Sequence, residues 1–122
     1  MIKTVLVIED NLDIRENTAE MLELEGFDVI TAEDGQEGLE LAIKHCPAVI
    51  LCDIMMPKLN GYEVLKQLKE NEKTLNIPFI YASASVEKKE VKHAMQLGAD
   101  AYIRKPFDLN ELMELVNKFT DK

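Results

Sequence analysis

Val5-Leu6-Val7-Ile8-Glu9-Asp10 and Val49-Ile50-Leu51-Cys52-Asp53 are two short apolar runs that each end abruptly in acid. An unbroken apolar run of this length suits a strand covered on both faces, as the central strands of a parallel sheet are. Working outward, residues 4–9, 28–32, 49–53, 79–82 and 101–104 all read as strands, short and rich in Val, Ile or Ala. The runs at 29–32 and 101–104 are more mixed and suit the edges of a sheet.

Amphipathic stretches lie between these runs. Leu109, Leu112, Val116 and Phe119 fall on one helical face; Leu65 and Leu68, then Val91, Ala94 and Met95, repeat the spacing. Asp34-Gly35-Gln36-Glu37, Asn60-Gly61-Tyr62-Glu63 and Asp108-Leu109-Asn110-Glu111 each set a capping side chain three residues before a Glu. Gly26 and Gly98 stand where two helices should stop. Strands alternating with helices mean βα repetition and an α/β class with a parallel sheet. With strands 1 and 3 central and right-handed crossovers, the order is 2-1-3-4-5, a doubly wound, flavodoxin-like (βα)5 sheet. The winding then reverses between strands 1 and 3, and ligands bind beyond the carboxyl ends of strands at such a point. Chemistry is therefore expected just after Ile8 and Cys52.

Composition narrows the function. The 122 residues suit one domain spanning 1–122, with a core over about 3–119, and no linker or output domain is visible. A formal net charge of −9 argues against nucleic acid as a direct partner. The densest basic stretch, Lys88-Lys89-Glu90-Val91-Lys92, reads as a solvated helix face flanked by acid. No apolar run is long enough to insert in a membrane, and the amino terminus lacks the pattern of a secretory signal. Cys46 and Cys52 suggest no disulfide framework, so a reducing cytoplasm is expected.

The predicted switch point collects Glu9, Asp10 and Asp53. Like charges that close raise each other's pKa, and a cation relieves them. A few oxygen ligands suit Mg²⁺, which retains waters and favours phosphate as a co-ligand. Taken singly, Glu9-Asp10 reads as a solvated helix cap and Asp53 as a strand-ending turn residue; convergence is what raises them above that. Strand 4 ends in Ala82-Ser83-Ala84-Ser85 and presents a hydroxyl between small side chains. Strand 5 leads into Arg104-Lys105-Pro106-Phe107 and brings an ammonium to the same crevice. Alone, Ser83 reads as a helix cap and Lys105 as a surface lysine. Together the set has a mechanism: a carboxylate attacks phosphorus to form an acyl phosphate. The cation, Lys105 and Ser83 then neutralise and position the phosphoryl oxygens.

These residues, in order, carry a family resemblance. Val5-Leu6-Val7-Ile8-Glu9-Asp10-Asn11, Asp53-Ile54-Met55-Met56-Pro57, Asn60-Gly61, Pro78-Phe79-Ile80-Tyr81-Ala82-Ser83-Ala84 and Gly98-Ala99-Asp100-Ala101-Tyr102-Ile103-Arg104-Lys105-Pro106-Phe107 together resemble a receiver (response-regulator, CheY-like) domain of two-component signalling. The likeness runs from about Lys3 to Phe119, and the full set at these spacings is highly specific. It implies that Asp53 is the phosphoacceptor, and that Glu9, Asp10 and Asp53, with the backbone carbonyl of Met55, hold Mg²⁺. It implies that Ser83 and Lys105 contact the phosphoryl oxygens and that Tyr102 is an aromatic switch on strand 5. Met55 and Ser85 match positions that tune phosphoryl lifetime, and the family commonly has a cis bond at the place of Lys105-Pro106. The implied partners are a sensor histidine kinase or histidine phosphotransfer protein upstream and a protein target downstream. The target would meet the surface of helix 4, strand 5 and helix 5.

Two other classes fit less well. An aspartyl-phosphate phosphohydrolase typically carries a second Asp two residues after its nucleophile, where this chain has Met55. A flavodoxin-like cofactor binder needs a small-residue anion loop after strand 1, where this chain has Glu9-Asp10-Asn11. A receiver used only for docking is a further alternative, opposed by its intact acidic set. His45 and His93 read as surface histidines. Met21, Met95 and Met113 read as core residues, and Cys52 as a buried small hydrophobe.

Overall fold

The computed structural model describes residues 2–84 and 87–120. Five strands, β1 (Thr4–Ile8), β2 (Asp28–Ala32), β3 (Val49–Asp53), β4 (Phe79–Ser83) and β5 (Ala101–Arg104), alternate with five helices. The helices are α1 (Leu12–Leu24), α2 (Gly35–His45), α3 (Gly61–Lys69), α4 (Lys88–Gln96) and α5 (Leu109–Thr120). The sheet is parallel throughout in the order β2-β1-β3-β4-β5, as the apolar runs predict. Two strand ends differ from the sequence reading by one residue: β1 stops at Ile8 and β4 continues to Ser83.

Alternation along the strands sends side chains to two cores. Leu6, Ile8, Ile50, Cys52, Phe79 and Tyr81 face α2, α3 and α4, where Leu39, Val64, Leu65, Leu68 and Ala94 cover them. Val5, Val7, Leu51, Ile80, Ala82 and Ile103 face α1 and α5, meeting Leu22, Leu112, Met113 and Val116. Both faces are covered, which is why β1 and β3 read as unbroken apolar runs.

Helix ends are well specified, with one exception. Asn11, Asp34 and Asn60 accept from the amides of Ile14, Glu37 and Glu63. Asn60 with Glu63, and Asp108 with Glu111, exchange bonds in both directions. Gly26 and Gly98 take φ of +93° and +108° and close α1 and α4, the left-handed conformation that makes glycine the preferred residue there. Helix α2 instead ends on Cys46 at φ 44°, just before Pro47, in keeping with the helix-end context of that cysteine. The exception is α4, whose N-cap Glu87 makes no side-chain capping bond and which buries only Ala94.

One core assignment needs correction. Met113 is buried and Met21 half-buried, but Met95 is 44% exposed. Ala94 is the α4 residue turned onto the sheet, and Met95 lies about 100° further round the helix, toward solvent. His45 and His93 are both exposed as expected, and Cys52 is fully buried.

Close backbone approach limits what the start of α3 accepts. A Cβ at Gly61 would lie 2.6 Å from the Asp53 carbonyl oxygen and 2.9 Å from the Ile54 Cα. The Tyr81 hydroxyl also donates to the Gly61 carbonyl at 3.0 Å, so the segment has little freedom to withdraw. Gly61→Ala is expected to lower stability by about 1–3 kcal/mol, the usual range for overpacking. Urea unfolding would show it, and an unchanged midpoint would refute the constraint.

Candidate functional site

The site is assembled at the carboxyl ends of β1, β3, β4 and β5. Beyond the last residue of β1, the Glu9 amide donates to the Ala32 carbonyl at 3.0 Å and continues the ladder by one residue. This fixes the backbone from which Glu9 turns inward, 4% exposed, while Asp10 stays exposed. Asp53 closes β3 and is 7% exposed. One oxygen from each of Glu9, Asp10 and Asp53 lies within 4.8 Å of the others. The reversal of winding between β1 and β3 brings these strand ends together.

Lys105 is held among them. Its Nζ donates to Glu9 Oε1 at 2.8 Å and lies 3.2 Å from Asp53 Oδ1. Its amide donates to the Ser83 carbonyl at 2.8 Å, tying the end of β4 to the residue after β5. Ser83 is buried at the end of β4. The bond between Lys105 and Pro106 is cis. Tyr102, half-buried on β5 opposite Tyr81, packs with the core under α2, α3 and α4. Since Ser83 pairs with Arg104, strand alternation puts Ser83 and Tyr102 on the same face of the sheet, diagonally apart. Met55 follows β3 with its side chain 76% exposed; Ser85 lies outside the described residues.

Charge is incompletely balanced at this site. Burial, and next the charge of Glu9, push the Asp53 carboxyl up to about 6 against the pull of Lys105. Burial works against the Lys105 ammonium, but its bonds and charge contacts with Glu9 and Asp53 outweigh that and hold its pKa above the ordinary value. Burial also raises the neighbouring Cys52 thiol far above its usual range, and the Asp53 charge adds to this. The Cys52 thiol donates to the Asp53 carbonyl oxygen at 3.1 Å, so it is a bonded core group. Among the described residues, three clustered carboxylates face one bonded ammonium. Their all-oxygen donor set fits a hard divalent cation, which would relieve the repulsion that adds to the effect of burial on Asp53.

Sequence reasoning missed two contributors. Arg15 Nη1 donates to the Glu9 carbonyl at 2.9 Å, steadying the strand end from the second turn of α1. Nothing in the spacing of Glu9 and Arg15 announces this. Lys58 pairs with Asp34 at 3.3 Å, joining the loop after β3 to the start of α2.

The comparisons agree with this architecture. The response regulator receiver domain family matches residues 5–117. The response regulator SaeR of Staphylococcus aureus is 37% identical over 113 residues, which are 93% of this chain and 48% of SaeR. The chain thus spans about half the length of the curated relatives it matches. Among solved structures, the receiver domain of Francisella response regulator 1452 is similar at 34% identity and TM-score 0.90, covering 97% of this chain and 96% of that one. A receiver domain of a Pseudomonas aeruginosa PAO1 sensor histidine kinase, with a magnesium ion coordinated in its own active-site cleft, shares the fold. Its TM-score is 0.92 at 24% identity, over 100% of both chains. A buried Asp at the switch point, a lysine bridging it to Glu9 and a family match over nearly all of the sheet lead to one assignment: this chain belongs to the response regulator receiver domain family of two-component signalling.

Proposed function

We propose that this receiver domain is a phosphorylation-activated switch whose phosphoacceptor is Asp53. The observation that carries the reading is the placement of Asp53: buried, at the sheet's switch point, in the acidic cluster and 3.2 Å from the Lys105 ammonium. A carboxylate so placed is a nucleophile with its charge compensation already beside it.

In the proposed step, an Asp53 Oδ attacks the phosphorus of a phosphohistidine on a sensor kinase or phosphotransfer protein. The P–N bond breaks, the electron pair returns to the imidazole, and an acyl phosphate forms on Asp53. Lys105 meets the added negative charge, and the Ser83 hydroxyl donates to a phosphoryl oxygen. Mg²⁺ would be held by Glu9, Asp10, Asp53 and the Met55 carbonyl, and would supply further neutralisation of the equatorial oxygens. The same cation is the one coordinated in the cleft of the Pseudomonas receiver domain.

The output follows from which element is least anchored. The α4 N-cap Glu87 makes no side-chain capping bond, and among the described residues the helix buries only Ala94, so its position relative to β4 and β5 is weakly determined. Drawing Ser83 toward a phosphoryl group opens space on the face it shares with Tyr102. The ring moves inward, and the surface of α4, β5 and α5 changes for a downstream protein. Taking such a switch from 1:99 to 99:1 needs about 5.5 kcal/mol of differential stabilisation, a magnitude that several charge-assisted phosphoryl contacts can supply. A net charge of −9 disfavours direct binding of nucleic acid, and no described helix is long and apolar enough to cross a membrane.

Intact mass after incubation with acetyl phosphate tests the acceptor. Wild-type protein with Mg²⁺ is expected to gain one alkali-labile phosphoryl group, lost with chelator and absent in Asp53→Asn. An equal gain in the variant would remove Asp53 from the role. Lys105→Ala is expected to retain labelling while losing the surface change, followed as amide exchange across α4.

Stability should also depend on pH through Asp53. Its folded pKa of about 6 lies above the ordinary carboxylate value of 3.8, so folding favours the protonated form. That contribution is complete below the ordinary value and is lost as pH rises toward and through the folded one. In chelator, Asp53→Asn is expected to be more stable than wild type by about 1–3 kcal/mol at pH 7, and the gap should close by pH 4. Urea unfolding across that window measures it; a gap independent of pH would contradict the assigned cause.

A further inference from the structure

The loop between β3 and α3, residues 54–60, has neither helix nor strand to hold it, yet it runs directly from Asp53 and carries the Met55 carbonyl. Its ends are secured: the Gly61 amide donates to the Ile54 carbonyl at 2.8 Å, and Asn60 caps α3. Its middle is held from outside. Lys58 takes φ of 68°, the left-handed region that a side chain bearing a Cβ enters only at a cost. Its Nζ lies 3.3 Å from Asp34 Oδ2, while Asp34 Oδ1 accepts from the Glu37 amide at 2.8 Å. Asp34 itself is only 7% exposed. Next to it, a Cβ on Gly35 would lie 2.1 Å from the Leu59 carbonyl oxygen. Two consecutive residues at the start of α2 thus engage two consecutive residues of the loop.

We infer that Asp34 is a positioning residue for the acidic site: through Lys58 it holds the β3–α3 loop, which carries the proposed Met55 carbonyl ligand two residues beyond Asp53, in its path. Divalent-cation affinity then depends on an ion pair that touches neither Glu9, Asp10 nor Asp53. This rests on the reading of the acidic cluster as a cation site. The effect is modest in size, because Lys58 is 67% exposed along its side chain and exposed pairs are weak.

Asp34 also caps α2, and the two roles separate cleanly. Asn is as good an N-cap as Asp but brings no charge to Lys58, so Asp34→Asn keeps the cap and loses the pair. Two readouts apply: Mg²⁺ titration by calorimetry, and amide exchange at Met55, Met56, Lys58 and Leu59 in the metal-free protein. Asp34→Asn and Lys58→Ala are each expected to weaken Mg²⁺ binding roughly 2- to 5-fold and to speed exchange at those amides. Thermal unfolding of the metal-free chain should change little, and the double variant should be no worse than either single one. Wild-type Mg²⁺ binding matched by both variants, with unchanged exchange, would overturn the inference and leave the cation site standing. Losses that multiply in the double variant would overturn it as well. No Mg²⁺ binding by wild type would remove the cation site and this inference together.

Discussion

Lys105 Nζ, 2.8 Å from Glu9 Oε1 and 3.2 Å from Asp53 Oδ1, ties the end of the last strand to the ends of the first and third. Carboxylates gathered at strand ends repel one another, and burial makes each charge more expensive. A single ammonium offsets part of that and leaves Asp53 still raised to about 6. The site therefore keeps an excess of carboxylate charge, with an Asp53 oxygen beside the Lys105 ammonium. Both the proposed metal and the proposed phosphoryl chemistry grow from that imbalance.

The scaffold around this point is stiff where the chemistry sits. The Glu9 backbone is held by the Ala32 carbonyl and by Arg15, and the Lys105 amide by Ser83. Gly35, Gly38 and Gly61 let backbone and side chains approach closer than any Cβ would permit, bringing α2 and α3 tight against Leu59, Ile8 and Asp53. By contrast α4 buries one side chain among the described residues, and its N-cap Glu87 makes no side-chain capping bond. Tyr62 touches both Tyr81 and His93 edge-on, with ring centroids 5.5 and 4.7 Å apart, linking the rigid start of α3 to this loosely held helix. A rigid site beside a weakly held helix is the arrangement a two-state switch needs, since small local changes move what is least constrained.

Much of this was legible in the residues. Strands β2, β3 and β5 fall where the apolar runs put them, and β1 and β4 differ by one residue. Strand order followed from which runs lacked polar interruptions, because only strands covered on both faces can be continuously apolar. The meeting of Glu9, Asp10 and Asp53 followed from topology alone. Met95 was misread because a helical period tells which residues share a stripe but not how wide the buried stripe is. On α4 that stripe narrows to Ala94, and Met95 falls outside it.

By itself, the sequence determined the class of sheet, the order of its strands, the caps of most helices and the identity of the acidic set. These depend on periodicity and on local hydrogen-bonding preference, which act within a few residues along the chain. Only the tertiary structure decided that Arg15 would reach the Glu9 carbonyl, that Lys58 would pair with Asp34, and that Lys105 would bridge two carboxylates. Those contacts join segments whose separation is set by loop path, strand register and packing angle. Such quantities are properties of the assembled fold, and no short stretch of residues encodes them.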